Sequence, residues 1–260
     1  MSRAHITFAC EGAQLVGSLD RPESGGEVGI LLVSGGNEIR CGAWGGQGRL
    51  AARLAASGIT VLRYDRRGIG DSEGTNSGFR HTQGDIAAAL AAFRAAAPEL
   101  RRIIAFGNCD AASALMLHGT KLGFAGMVLA NPWTIDDETA APVHAPAALR
   151  ARYLAKLRNP RELLRLLGGK VNLGMLLQGL KASAAAPTGS ALARDMAAGL
   201  AGFGGPVAIL LASADRTAQL FEASWPKSDP RIQRLGGASH SFSGEAAQNW
   251  LTEWLIEAAR

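Results

Sequence analysis

Cysteine is scarce in this sequence, which holds Cys10, Cys41 and Cys109 among its 260 residues. Their odd number and wide spacing argue against a disulfide framework and against a C-x-x-C metal site. No other cluster of metal ligands is visible, so we expect neither a metal nor a cofactor. Free thiols suit a reducing compartment, which makes the cytoplasm the expected location.

Long apolar runs are absent too. No run approaches the roughly 20 residues of a membrane-spanning helix, and the first twelve residues lack the apolar core of a secretory signal. The net charge of +5 is modest, and no zinc-finger, helix-turn-helix or RNA-binding pattern occurs. No G-x-G-x-x-G follows the first strands, which counts against a dinucleotide-binding protein. We therefore expect no membrane span and no nucleic-acid partner.

An alternation of apolar runs and helix-forming segments is present instead. Runs rich in β-formers predict a hairpin followed by six further strands, at residues 5–9, 14–19, 28–33, 59–64, 103–106, 125–130, 207–212 and 232–235. Helices are predicted between most of these strands, and a closing helix through residue 259. This order predicts an α/β fold with a mostly parallel, doubly wound sheet and helices on both faces. In such sheets the chemistry lies at the carboxyl ends of the strands.

The alternation stops between residues 133 and 205, where no run predicts a strand. Helices are predicted there instead, at 147–157, 161–167, 173–180 and 191–200. We therefore expect residues 1–132 and 206–260 to form one α/β core. Residues 133–205 would form a helical lid over the carboxyl ends of its strands.

Residues 101–116 predict a strand, one abrupt turn and a helix. A turn this tight throws the side chain at its apex, Cys109, out of the sheet, and it needs small neighbours, here Gly107 and Ala111. The segment G-N-C-D-A resembles the nucleophile elbow G-x-S-x-G of the α/β-hydrolases, with cysteine in place of serine. Ser113 is a rival nucleophile, but it lies one turn inside the predicted helix.

The resemblance extends along most of the chain. Cys109, Asp215 and His240 follow the α/β-hydrolase order of nucleophile, acid and histidine, each just after a predicted strand. Residues 65–72, D-R-R-G-I-G-D-S, are similar to the family segment D-x-R-G-x-G-x-S, and S-G-G at 34–36 stands at the His-Gly position of the oxyanion loop. The cysteine elbow, the G-G-N loop and the compact lid also resemble the exosortase A system-associated hydrolases of type 1. That resemblance implies a bacterial gene cluster for polysaccharide and protein sorting.

The resemblance implies a role for each of these groups. His240 would take the thiol proton and later activate water, while Asp215 would hold the imidazole and support its charge. The backbone N–H groups of Asp110 and Gly36 would stabilise the oxyanion. A helix N-terminus and an imidazole base both favour a thiolate at Cys109.

Several alternatives stay open from the sequence. Asp136 and Asp137 are rival acids, since some α/β-hydrolases place the acid after the preceding strand. Cys41 is a second candidate thiol near the glycine loop. Asp65 and Arg67 are expected to fix a loop rather than to take part in catalysis.

These expectations favour a Cys-dependent hydrolase of an ester, thioester or lactone that works through an acyl-enzyme. An acyltransferase would use the same triad, whereas a non-catalytic binding protein of this fold would typically have lost part of it. The expected partner is a small acyl substrate, and a basic stretch of the lid suits coenzyme A or an acyl carrier protein. The basic residues of this stretch are Arg150, Arg152, Lys156, Arg158, Arg161, Arg165, Lys170 and Lys181. The acyl chain, the leaving group and the oligomeric state stay open.

Overall fold

The computed structural model describes residues 1–135 and 190–260, which form a single sheet covered by helices on both faces. The strands of the described residues are β1 (Ser2–Cys10), β2 (Ala13–Arg21), β3 (Val28–Val33), β4 (Thr60–Tyr64), β5 (Arg102–Asn108), β6 (Gly126–Ala130), β7 (Val207–Ala212) and β8 (Ile232–Leu235). The α-helices are α1 (Gly46–Ala56), α2 (Gln83–Ala96), α3 (Asp110–His118), α4 (Ala191–Ala201), α5 (Arg216–Ser224) and α6 (Glu245–Ala259).

The strand order is β1-β2-β4-β3-β5-β6-β7-β8. The hairpin β1–β2 and the pair β2–β4 are antiparallel, and the remaining neighbours pair in parallel. From β3 the chain first moves to β4 on one side and then crosses to β5 on the other. The crevice beyond the carboxyl ends of β3 and β5 is therefore the topological switch point, where ligands bind in sheets of this type. The mostly parallel, doubly wound sheet predicted from the sequence is confirmed.

Both faces of the central strands are buried, because successive residues point to opposite sides of a sheet. In β3, Ile30 and Leu32 pack with α1 and α6, whereas Leu31 and Val33 pack with α2, α3 and α4. Strand residues on both faces are fully or almost fully excluded from water. This burial makes the sheet a rigid support for the loops that leave its carboxyl edge.

Helix α4 lies at the C-terminal end of the range that the sequence assigns to a lid. It packs against α3, and its apolar face, which includes Leu192, Met196 and Leu200, is buried in the same cluster as the sheet. A Cβ added at Gly199 would lie 2.3 Å from the backbone oxygen of Met116, so the two helices cross too closely for a larger residue. The helix predicted here is present, and it packs as part of the core.

The other predicted lid helices, and the basic stretch between them, lie in residues 136–189, outside the described residues. The lid therefore stays a prediction for that range. Within the described part of the chain, no helix has both the length and the apolar character that crossing a membrane demands.

Candidate active site

A strained turn at the end of β5 presents Cys109. Its backbone has φ 62° and ψ −128°, an arrangement that non-glycine residues rarely adopt, and α3 begins at the next residue. A Cβ added at Gly107 would lie 2.7 Å from the carbonyl carbon of Ala111, so the turn closes only around a glycine. The strand, the turn and the helix lie where the sequence predicted them.

Backbone hydrogen bonds hold this turn. The Cys109 N–H donates to the oxygen of Ala130 at 3.0 Å, and the Cys109 oxygen accepts from the N–H groups of Ser113 and Trp133, both at 3.3 Å. The hydroxyl of Ser113 is fully buried and donates to the oxygen of Trp133 at 2.8 Å. The rival nucleophile is therefore part of the support beneath the turn, while the Cys109 side chain is half-exposed.

Asp215 and His240 meet beside this turn. The His240 Nδ1 atom lies 2.9 Å from Oδ2 of Asp215, a carboxylate that is 7% exposed. The same oxygen accepts the N–H of Ala218 at 3.1 Å and caps α5. A carboxylate can only accept, so Nδ1 carries the proton and the other ring nitrogen is left for Cys109. One side chain thus acts as both a helix cap and a partner for the imidazole.

The charge of His240 is set by its two neighbours. The hydrogen bond to Asp215 and, next, the interaction with the Cys109 side chain raise the pKa of His240 to about 10, against the opposing effect of burial. At neutral pH the ring is therefore an imidazolium. The structure brings together the three residues that the sequence singled out as a triad.

The glycine loop after β3 lies directly against the turn. A Cβ added at Gly35 would lie 2.5 Å from Oδ1 of Asp110 and 2.6 Å from the oxygen of Asn108, which explains why glycine is needed there. The N–H of Gly36, one of the two expected oxyanion donors, donates to Oδ1 of Asp110 at 2.6 Å. The sequence indicated the backbone N–H of Asp110 but not this use of its carboxylate.

Comparison with known proteins identifies the family of the chain. The sequence model of the alpha/beta hydrolase family matches residues 30–251. The chain belongs to the alpha/beta hydrolase family. No curated protein matches it.

Solved structures share the fold of this α/β-hydrolase at low identity. A serine hydrolase from Xanthomonas campestris, described as lacking a lid, matches with a TM-score of 0.62 and 15% identity over 99% of this chain and 94% of that one. An esterase from Pyrococcus furiosus matches with a TM-score of 0.62 and 15% identity, over 100% and 94%. Est1E from Butyrivibrio proteoclasticus, solved with ferulic acid bound, matches with a TM-score of 0.60 and 15% identity, over 97% and 98%. These likenesses concern the fold.

An open cleft of about 300 Å³ lies in front of Cys109. Its walls combine apolar rings, amide groups and one ion pair, from Gly36, Asn37, Arg66, Asn76, Gly78, Phe79, Cys109, Asp110 and Trp133. Arg66 is 2% exposed, its NH2 group donates to the oxygen of Gly36, and the same group lies 3.8 Å from Oδ2 of Asp110. Sequence reasoning missed Arg66, because it stands at a variable position of the segment D-x-R-G-x-G-x-S.

Asp65 and Arg67, on either side of Arg66, fix loops, as the sequence predicted. Asp65 accepts the N–H of Arg40 at 2.5 Å and the N–H of Asp71 at 3.1 Å, so one buried carboxylate ties two loops together. Arg67 pairs with Asp85, with 2.5 Å between Nε and Oδ1.

The other two thiols have different surroundings. Cys10 is buried, and its burial and then the charge of Asp85 raise the pKa of the Cys10 thiol to about 11. Cys41 is half-buried, with its sulfur 3.6 Å from the oxygen of Gly42. The rival acids Asp136 and Asp137 lie outside the described residues. Among residues 1–135 and 190–260, no group of three or more potential ligands could hold a metal ion.

Proposed function

We propose that the protein is a hydrolase of carboxylic acid derivatives that uses Cys109, His240 and Asp215 through an acyl-enzyme. The observation that carries this proposal is the imidazole held between Asp215, at 2.9 Å, and the cysteine of a strained strand-to-helix turn. A buried carboxylate, a histidine and an apical nucleophile in this order are what acyl transfer requires.

The protonation of His240 fits a cysteine better than a serine. A serine hydroxyl needs a neutral imidazole that removes its proton during attack, whereas a thiolate needs an imidazolium beside it. Since the pKa of His240 is raised to about 10, the ring holds its proton at neutral pH. For attack, the proposal pairs this protonated ring with a Cys109 thiolate.

The first half-reaction follows from this pair. The sulfur of Cys109 attacks the carbonyl carbon of the substrate, and the electron pair of the C=O bond moves to the oxygen. The tetrahedral intermediate then expels the leaving group, which takes the proton of His240. In the second half-reaction the neutral ring takes a proton from water, the water oxygen attacks the thioester, and the thiolate leaves. The acid is released and His240 is again an imidazolium.

The oxyanion would be held by the N–H groups of Asp110 and Gly36. The carboxylate of Asp110 accepts the Gly36 N–H in the resting structure, so it has to give up this bond when the substrate oxygen arrives. Arg66 lies 3.8 Å from the other oxygen of the same carboxylate and would hold the displaced charge. On substrate binding, the substrate oxygen would thus replace the Asp110 carboxylate as the acceptor of the Gly36 N–H.

The substrate class is supported by less direct observations. The cleft has the apolar rings of Phe79 and Trp133 near Cys109, which suits an acyl group. One structural neighbour is called an esterase and another holds ferulic acid. Ester, thioester and lactone substrates all fit the mechanism, and an acceptor alcohol or amine in place of water would make the protein an acyltransferase. Membership of the exosortase-associated subfamily and recognition of coenzyme A or a carrier protein belong to the same proposal.

Acyl-enzyme formation tests the proposal. The protein, Cys109→Ala and the matched control Cys41→Ala are mixed with p-nitrophenyl acetate and followed by intact mass spectrometry and by release of nitrophenolate. We expect the wild type and the control to gain one acetyl group that neutral hydroxylamine removes, as it does a thioester. Cys109→Ala should gain none and should lose about 1000-fold or more in kcat/KM. Retained hydrolysis by Cys109→Ala would refute a nucleophilic Cys109 and favour a different site, and no hydrolysis by any of the three would favour a binding protein.

A further inference from the structure

We propose that Asn131 and Asn108 are positioning residues that hold the backbone of His240 and so set where its ring lies relative to Cys109. This inference rests on the proposed function. The side chains of both asparagines donate to the carbonyl oxygen of His240, each at 3.1 Å.

The orientation of both amides is fixed by their other partners. The N–H of Ala212 donates to Oδ1 of Asn131 at 2.8 Å, so the NH₂ group of that amide points the other way. This NH₂ group donates to Oδ1 of Asn108 at 3.0 Å as well as to the oxygen of His240. The NH₂ group of Asn108 therefore also faces the oxygen of His240. All of these donors meet acceptors, which makes the arrangement a satisfied polar network.

Asn131 occupies an unusual place in the sheet. It directly follows β6, is fully excluded from water, and has φ 42°, a value that costs energy in any residue except glycine. Asparagine tolerates this conformation better than most side chains, because its short amide can bond locally. The backbone strain and the buried amide together indicate that a side chain reaching the histidine loop is needed at this position.

The two amides connect the histidine loop to the strand that bears the nucleophile. Two hydrogen bonds hold the loop to the end of β7. The N–H of Gly237 donates to the hydroxyl of Ser213 at 2.9 Å, and the N–H of Ala214 donates to the oxygen of Ala238 at 3.2 Å. Asn108 is the last residue of β5 and is bonded to Cys109 through the chain. Its amide therefore ties the backbone of His240 to the backbone of Cys109 directly, while Asp215 orients the ring.

A test needs a readout that does not depend on knowing the substrate. We would measure the rate at which iodoacetamide alkylates Cys109, by peptide mapping, from about pH 5 to about pH 10. A thiolate paired with an imidazolium reacts at lower pH than an isolated thiol. The variant His240→Ala gives the profile without the imidazole.

The test variants are Asn131→Gly, which accepts the positive φ, and Asn108→Leu, which is similar in shape and carries no charge. The matched control is Trp225→Phe, which removes a partly buried hydrogen bond outside the asparagine network, the 2.8 Å bond from the Trp225 indole N–H to Asp229. Far-UV circular dichroism and urea unfolding report whether each variant folds.

We expect Asn131→Gly to move the alkylation midpoint upward by about one pH unit toward the His240→Ala profile, about a tenfold loss of rate at neutral pH. Asn108→Leu should move it in the same direction, and the control should match the wild type. If both asparagine variants follow the wild type while His240→Ala differs, the positioning role is wrong and the proposed function stands. If His240→Ala also follows the wild type, the Cys–His pair itself is wrong and both proposals fall. Should Asn131→Gly not fold, Asn108→Leu decides.

Discussion

Replacing Cys109 with serine tests the charge state of the site as well as its nucleophile. A serine in this position would need His240 as a neutral base, yet the pKa of His240 is raised to about 10. A pH of about 7 lies about three units below this pKa, so about one molecule in a thousand would hold a neutral imidazole. The larger cause of the raised pKa is Asp215, which stays in the variant, whereas the contribution of the cysteine is lost. The loss of kcat/KM from this cause should therefore be at most about 1000-fold.

The pH profile separates this explanation from a general loss of activity. A protonated group whose pKa lies above the assay pH loses its proton as the pH rises. The activity of Cys109→Ser should therefore increase about tenfold per pH unit from about pH 7 until His240 is deprotonated. The wild type, which needs the imidazolium, should change little from about pH 7 to about pH 9 and then decline. We would measure kcat/KM for p-nitrophenyl acetate over this range, with Cys41→Ser as the matched control. A Cys109→Ser variant with wild-type activity and a flat profile would refute the reasoning.

Two further predictions concern the acid and the turn. Asp215→Asn should fold and lower kcat about 1000-fold to 10,000-fold, because the imidazole loses the carboxylate that orients it. Asp137→Asn should have little effect in the same assay, and the reverse result would assign the acid to Asp137. Gly107→Ala should lower the free energy of unfolding in urea by about 1–3 kcal/mol, because the new Cβ would lie 2.7 Å from the backbone of Ala111. Gly204→Ala should be close to neutral, because its new Cβ would meet nothing within 4 Å. Equal stability of the two glycine variants would show that the turn relaxes more than its geometry suggests.

The fold and the members of the candidate site could be predicted because local patterns encode them. The apolar runs of the central strands, and the small residues Gly107 and Ala111 around the turn, are visible in short windows of sequence. Strand ends then place Cys109, Asp215 and His240 at one edge of the sheet, whatever the details of packing.

The finer polar contacts could not be predicted, because they join residues that are distant in sequence. The bond between Asp110 and Gly36 spans 74 positions, and the bond between Asn108 and His240 spans 132. No periodicity or propensity reports which of several strand-end amides and carboxylates meet. Asn131 directly follows a predicted strand and belongs to no motif of the sequence, yet its amide bonds to Asn108, Ala212 and His240.

A cysteine and a serine nucleophile need the proton of the histidine in different places before attack. The structural neighbours described as serine hydrolases share the sheet and the order of elements at 15% identity, so the sheet alone does not select the chemistry. In this chain Asp215 and Cys109 both raise the pKa of His240, and the buried carboxylate is shared with the first turn of α5. These contacts stabilise a charged ring, which on the proposed mechanism assists a thiolate, whereas a serine hydroxyl would need the ring to be neutral before attack. The cysteine at the turn and the charge on the histidine are therefore one property of the site, and changing the first without the second should leave a folded protein with little activity at neutral pH.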